Sequence, residues 1–140
     1  MLRKIDKVLY TAQTHTTGGR DGAGKSSDGE LDVKLSPPGL GKPGTNPEQL
    51  LAVGWSACFM GAMRRSAAAI GVRVPEDVSI DAEVSLGNTA DQGFALAMKM
   101  TVSLPGLSEE HKRQLVDGAH KLCPYSLATA GNIEVEFVIP

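Results

Sequence analysis

Only two cysteines, Cys58 and Cys123, occur in the 140 residues. That scarcity leaves a choice between two inert buried thiols and a redox or catalytic pair. Positive charge is equally short of a surplus. The formal net charge of -2 gives no reason to expect a nucleic acid or another polyanion as partner. The longest uncharged apolar run, Leu50–Met63, is 14 residues, short of the roughly 20 that cross a bilayer. The opening MLRKIDKVLY is basic but lacks the apolar stretch of a secretory signal, so the expected compartment is the cytoplasm, where a structural disulfide is disfavoured. Internal repeats, linkers and low-complexity segments are missing too, which makes residues 1–140 one expected domain of a soluble globular protein.

What is present is organised around Pro47–Ala69, PEQLLAVGWSACFMGAMRRSAAA. Asn46 suits the N-cap, Pro47 the first turn, and Gln49 the position from which a capping partner reaches back, so a helix is expected to start here. From Leu50 to Met63 it is apolar around almost its whole circumference, which predicts burial on several sides. Ahead of it, Lys4–Thr16 reads as a strand, Gly18–Asp28 as a loop, and Leu31, Val33 and Leu35 alternate as a second strand, the two strands pairing as a hairpin. Beyond it, Val78–Leu86 and Phe94–Leu104 alternate cleanly about the GNTADQG turn. Ser108 caps a surface helix whose apolar stripe is Leu115, Ala119 and Leu122. Cys123-Pro124 ends that helix, SLATAGN leads out, and Ile133, Val135 and Phe137 form a last strand.

Five amphipathic strands provide one apolar sheet face, which covers one side of the central helix and leaves the other wet. A second copy of the chain is the natural cover. Gly54, Ala57, Gly61 and Ala62 are small enough for two such helices to approach closely, unless they merely fit an irregular core.

Gly19–Ser26 matches the phosphate-binding pattern G-x-x-x-x-G-K-[ST] letter for letter. Its context rejects it, because a phosphate loop opens a helix and this stretch runs into an alternating strand. The three histidines are too dispersed for a metal site, and His120 reads as a solvated helix residue. Cys58 lies too deep in its helix for the dipole to favour a thiolate, and its neighbours at helical spacing are uncharged. A cation has to come from another segment. Arg20, flanked by Gly18, Gly19 and Gly22, is the best placed by composition, and an ordinary exposed turn arginine is the other reading. On the residues alone, Cys58 stands open between an inert core thiol and a reactive one.

TGGRDG followed by SSDG, then GTNPEQLLAVGWSACF, then LCPYSLATAGNIEV resembles the organic hydroperoxide resistance (Ohr) proteins of the Ohr/OsmC family along essentially the whole chain. The resemblance implies an α+β fold in which two chains intertwine as a homodimer, antiparallel sheets wrapped around two central helices. It implies a thiol-dependent peroxidase for organic hydroperoxides that has no bound cofactor or metal. An external dithiol, dihydrolipoamide on a lipoylated protein, would regenerate it, with no membrane or nucleic acid involved. Carried over by motif, Cys58 attacks the peroxide, Cys123 resolves, Arg20 activates and Glu48 holds the arginine. Leu51, Trp55, Phe59, Met60, Phe94 and Met98 become candidates for an apolar pocket that prefers alkyl and fatty-acid hydroperoxides, or else plain core. Leu51, Trp55, Leu127 and Ala130 depart from the family's usual residues and bear on substrate preference or reductant docking. A non-catalytic dimeric binding module and an OsmC-type peroxidase with another reductant are the alternatives.

Overall fold

The computed structural model describes residues 2–140. By backbone contacts the chain divides into two compact units, Met1–Pro47 and Glu48–Pro140. The first unit carries a three-stranded antiparallel sheet of β1 (Thr14–Thr17), β2 (Ala23–Ser26) and β3 (Asp32–Lys34) in that order. β1 pairs with β2 from Thr14↔Ser26 to Thr17↔Ala23, and β2 pairs with β3 from Ala23↔Lys34 to Lys25↔Asp32. Both predicted strands are therefore shorter than their sequence pattern, and they do not form the expected hairpin with each other, because β2 pairs between them. Residues 2–13 hold no regular structure, and Leu2, Ile5, Val8, Leu9 and Tyr10 are exposed. The Gly18–Asp28 stretch, expected as a loop, contains a 3-10 turn at Gly19–Asp21 and then β2. Its glycines explain the geometry. Gly18 and Gly19 sit at positive φ, and a Cβ on Gly22 would collide with the Thr17 carbonyl oxygen, so the tight return of the chain admits only glycine there. The phosphate-loop match thus folds as a turn and a strand, without the helix that its chemistry needs.

In the second unit, α1 (Pro47–Ala69) has the predicted bounds. β4 (Ser79–Asn88) and β5 (Phe94–Ser103) pair antiparallel from Ser79↔Ser103 to Asn88↔Phe94. The intervening turn is held by the Thr89 hydroxyl and the Asp91 carboxylate, both of which accept from Gly93 N–H. α2 (Glu109–Leu122) begins where Ser108 Oγ accepts from His111 N–H at 3.1 Å. A further short helix, α3 (Pro124–Thr129), follows directly, where the sequence predicted only an exit segment. Proline is disruptive inside a helix and well suited to the first turn of one, so Pro124 ends α2 and opens α3. β6 (Glu134–Val138) then joins the sheet parallel to β5, giving the order β4-β5-β6, so this sheet is mixed where the expectation was antiparallel throughout.

Period-2 alternation turns Met98, Met100 and Val102 of β5 towards the helices. They share one core with Trp55, Phe59 and Met63 of α1 and Leu115, Val116, Ala119 and Cys123 from the α2 side. Each large side chain fully buried there contributes about 1.5–3 kcal/mol relative to exposure. α1 and α2 approach so closely that a Cβ on Gly118 would collide with Ser66 Oγ. The other side of α1 is uncovered. Leu50, Val53, Ala57 and Gly61, spaced as one stripe, are exposed, with Val53 at 72%. The second unit therefore covers α1 on one side only. Among the described residues no helix is long and apolar enough to cross a membrane.

Candidate active site

Cys58 lies mid-way along α1, and Cys123 at the corner where α2 ends and α3 begins. The corner is built by main-chain bonds. Cys123 N–H donates to Ala119 O at 2.8 Å to finish α2, and Cys123 O accepts from Leu127 N–H at 2.9 Å to start α3. Extended dihedrals at Cys123 (φ -63, ψ 122), as expected before a proline, make the bend. This geometry brings the two thiols together. Cys123 Sγ donates towards Cys58 Sγ at 3.6 Å, with no disulfide between them. A disulfide needs about 2.05 Å, so closure takes a shift of roughly 1.5 Å with no element rearranged. The two sulfurs differ in access: Cys58 is partly exposed and Cys123 is fully buried.

Burial pushes the Cys58 thiol above its ordinary value, and the adjoining Cys123 thiol adds to the rise, while a hydrogen bond from the Tyr125 main chain opposes it. A thiol so placed needs added positive charge to be a good nucleophile at neutral pH. Arg20 stands in the 3-10 turn of the first unit and Glu48 in the first turn of α1; neither is without partners. Among the described residues no group of three or more potential metal ligands forms.

The apolar candidates are divided. Trp55, Phe59 and Met98 are core residues, and Leu51 packs against that core while partly exposed. Phe94 is exposed at the start of β5. Met60, with Ala52, Val53, Ser56, Ala57, Ile80 and Ala82, lines an open apolar groove of about 310 Å³ along α1.

Two residues beside the thiols, Tyr125 and Ser126, are given no role in the sequence reading. Trp55 Nε1 donates to Ser126 Oγ at 3.2 Å inside the core, and the Trp55 ring stacks on Tyr125 with centroids 6.4 Å apart. Phe59 packs on Phe137 at 5.3 Å, and the His120 ring stands edge-on to Phe137 at 5.0 Å. His120 is therefore half-buried, contrary to the solvated helix residue expected. Its Nδ1 is buried without a hydrogen-bond partner, and burial pushes its pKa down from 6.5 against the opposing field of Asp117. The signal for Ser126 was its spacing, three residues past Cys123 as Trp55 is three before Cys58.

Comparison with known proteins places the chain in a family. The model of the OsmC-like protein family matches residues 36–138. The organic hydroperoxide resistance protein of Xanthomonas axonopodis pv. citri is 47% identical over 138 residues, 96% of each chain. Among solved structures, organic hydroperoxide resistance protein OhrB of Bacillus subtilis superposes with a TM-score of 0.88 at 39% identity, covering 95% of this chain and 100% of that one. An organic hydroperoxide resistance protein from Legionella pneumophila gives a TM-score of 0.86 at 40% identity, with 95% and 98% covered.

Proposed function

Because the chain belongs to the Ohr/OsmC family, in its organic hydroperoxide resistance branch, we propose that it is a peroxidase that reduces organic hydroperoxides to alcohols through Cys58 and Cys123. The observation that carries this reading is a pair of cysteines whose sulfurs stand 3.6 Å apart, one on a partly exposed residue and one on a buried residue. An attacking thiol must meet its substrate, whereas a resolving thiol needs to meet only its partner.

In this mechanism the Cys58 thiolate attacks the outer peroxide oxygen. The O–O bond breaks, its electron pair leaves on the alkoxide, and the alkoxide takes a proton to become the alcohol. Cys58 is then a sulfenic acid. Cys123 attacks the sulfenic sulfur, the S–O bond breaks, water leaves, and a Cys58–Cys123 disulfide remains. Two electrons from an external dithiol, dihydrolipoamide on a lipoylated protein, return both thiols.

Arg20 is assigned the missing cation. A guanidinium offers forked donors to the thiolate, to the peroxide oxygens and to a carboxylate, which Glu48 supplies. The raised Cys58 pKa supports the need for such a group. The exposed stripe of α1 supports a homodimer in which a second copy covers Leu50, Val53, Ala57 and Gly61. The residues at helical spacing from Cys58 that share its apolar cluster, Leu51 and Trp55, favour alkyl and fatty-acid hydroperoxides over hydrogen peroxide.

A peroxidase assay tests the reading directly. Cumene hydroperoxide should be consumed much faster than hydrogen peroxide with dihydrolipoamide as reductant, and more slowly when thioredoxin replaces it. Loss of no free thiol on adding cumene hydroperoxide to the reduced protein would leave a non-catalytic binding module.

A further inference from the structure

α1 and α3 face each other in reverse order. Cys58 meets Cys123; three residues back along α1, Trp55 meets Ser126, three residues forward along α3. Residues three apart on a helix lie on one face, about 4.5 Å apart along the axis. The thiol pair and the indole–hydroxyl pair are thus successive rungs between the same two helices. Trp55 is the chain's single tryptophan and is fully buried, and Ser126 is 2% exposed. The lower rung is therefore a directional bond in a place with no water to replace it.

We propose that the Trp55–Ser126 hydrogen bond positions Cys123 for attack on the oxidised Cys58, so that Trp55 and Ser126 are positioning residues of the disulfide-forming step. This rests on the peroxidase reading above. Dispersion and burial bring α3 onto α1, but they leave it free to slide and rotate by fractions of an ångström. A bond with a fixed donor direction removes that freedom one turn away from the reacting sulfur. Geometry of this kind governs how often two bound groups meet in a reactive arrangement. The lifetime of the sulfenic acid depends on it. A sulfenic acid that is not closed by Cys123, with loss of water, is open to a second hydroperoxide. That reaction transfers another oxygen to sulfur, releases another alcohol and yields the sulfinic acid, which a dithiol does not reverse.

The test is a comparison of wild type, Ser126→Ala, Trp55→Phe and the double variant, with Val116→Ala as a core substitution away from the rung. Stopped-flow thiol loss gives the rate of attack by Cys58, and mass spectrometry gives the ratio of sulfinic acid to disulfide as cumene hydroperoxide is increased. The expected result is an attack rate within about twofold of wild type in Ser126→Ala. Disulfide closure should be at least tenfold slower, and the sulfinic fraction should rise to match. The double variant should be no slower than the worse single one, because both remove the same bond. Val116→Ala should lose thermal stability with the wild-type ratio kept. Closure at the wild-type rate in Ser126→Ala, or a shifted ratio in Val116→Ala equal to that of Ser126→Ala, overturns the positioning role and leaves the peroxidase reading standing. A wild type that forms neither a Cys58 sulfenic acid nor the disulfide overturns both.

Discussion

Oxidation should make the second unit more stable, by an amount that follows from the chain separation of the two cysteines. They are 65 residues apart, and cross-linking a loop of that length removes about 4 kcal/mol of conformational freedom from the unfolded chain at 25 °C. Native strain subtracts from this. Here the sulfurs already stand at 3.6 Å, on elements whose helical bonds are complete, so the required shift of about 1.5 Å is shared between α1 and the α2–α3 corner and costs little. A chain of this size loses about 0.3 kcal/mol per degree near its midpoint, which converts the gain into a rise in Tm of about 10–15 °C. The assay is thermal unfolding of protein treated with one equivalent of cumene hydroperoxide against protein held in dithiol, with the bond verified by mass spectrometry. Cys123→Ser should show no such rise. A fully formed disulfide with an unchanged Tm would mean that closure distorts the fold, and it would refute the claim that the thiols are preset.

Replacing Arg20 by Ala should lower the alkylation rate of Cys58 at pH 7 by about a hundredfold or more, and Arg20→Lys should restore little, since an ammonium cannot fork between its partners. Wild-type alkylation in Arg20→Ala would place activation elsewhere. The depressed pKa of His120 means that the folded protein binds fewer protons there than the unfolded chain, so its share of stability is intact above pH 6.5 and declines as the pH falls below it. Urea unfolding between pH 5 and 7 should therefore be flatter in His120→Phe, and an unaltered slope would assign the pH dependence to other groups. Glu48 and Cys58 are separated by about 15 Å of helix rise, which favours a glutamate acting across a dimer. Mixing Glu48→Ala with Cys58→Ser subunits under exchange should restore activity, and a mixture as impaired as its parents would place Glu48 within its own chain.

Legibility in the sequence followed the range of the interactions. α1, α2 and the β4–β5 pair were readable because Pro47, Ser108 and the alternation from Val78 to Leu104 are local signals. The N-terminal strand was over-read: Val8, Leu9 and Tyr10 have strand-forming side chains, yet in one chain they remain exposed outside the sheet. β2 was missed because Ala23-Gly24-Lys25-Ser26 has no strand propensity, and its pairing with both neighbours makes the strand. α3 was missed because Pro124 was read as an end and not also as a beginning. The parallel seating of β6 against β5 has no local signature at all. In the site, the residues alone left Cys58 open between an inert and a reactive thiol. Arg20 was already the best-placed cation by composition, and the roles of Cys123 and Glu48 came from the family resemblance. Trp55 and Ser126 are 71 positions apart, and their bond exists only once the helices are packed.

The corner at Cys123 has an evolutionary consequence. Its bend is set by two main-chain bonds and a proline, and the Trp55–Ser126 bond one turn on fixes the remaining freedom of the sulfur. Substitutions at positions outside the Trp55–Ser126 pair can therefore accumulate without undoing the bend. Leu127 and Ala130 follow the corner on α3 and at its C-cap. A reactive atom anchored in backbone geometry lets the outer surface drift towards new substrates or reductants while the chemistry beneath it stays in place.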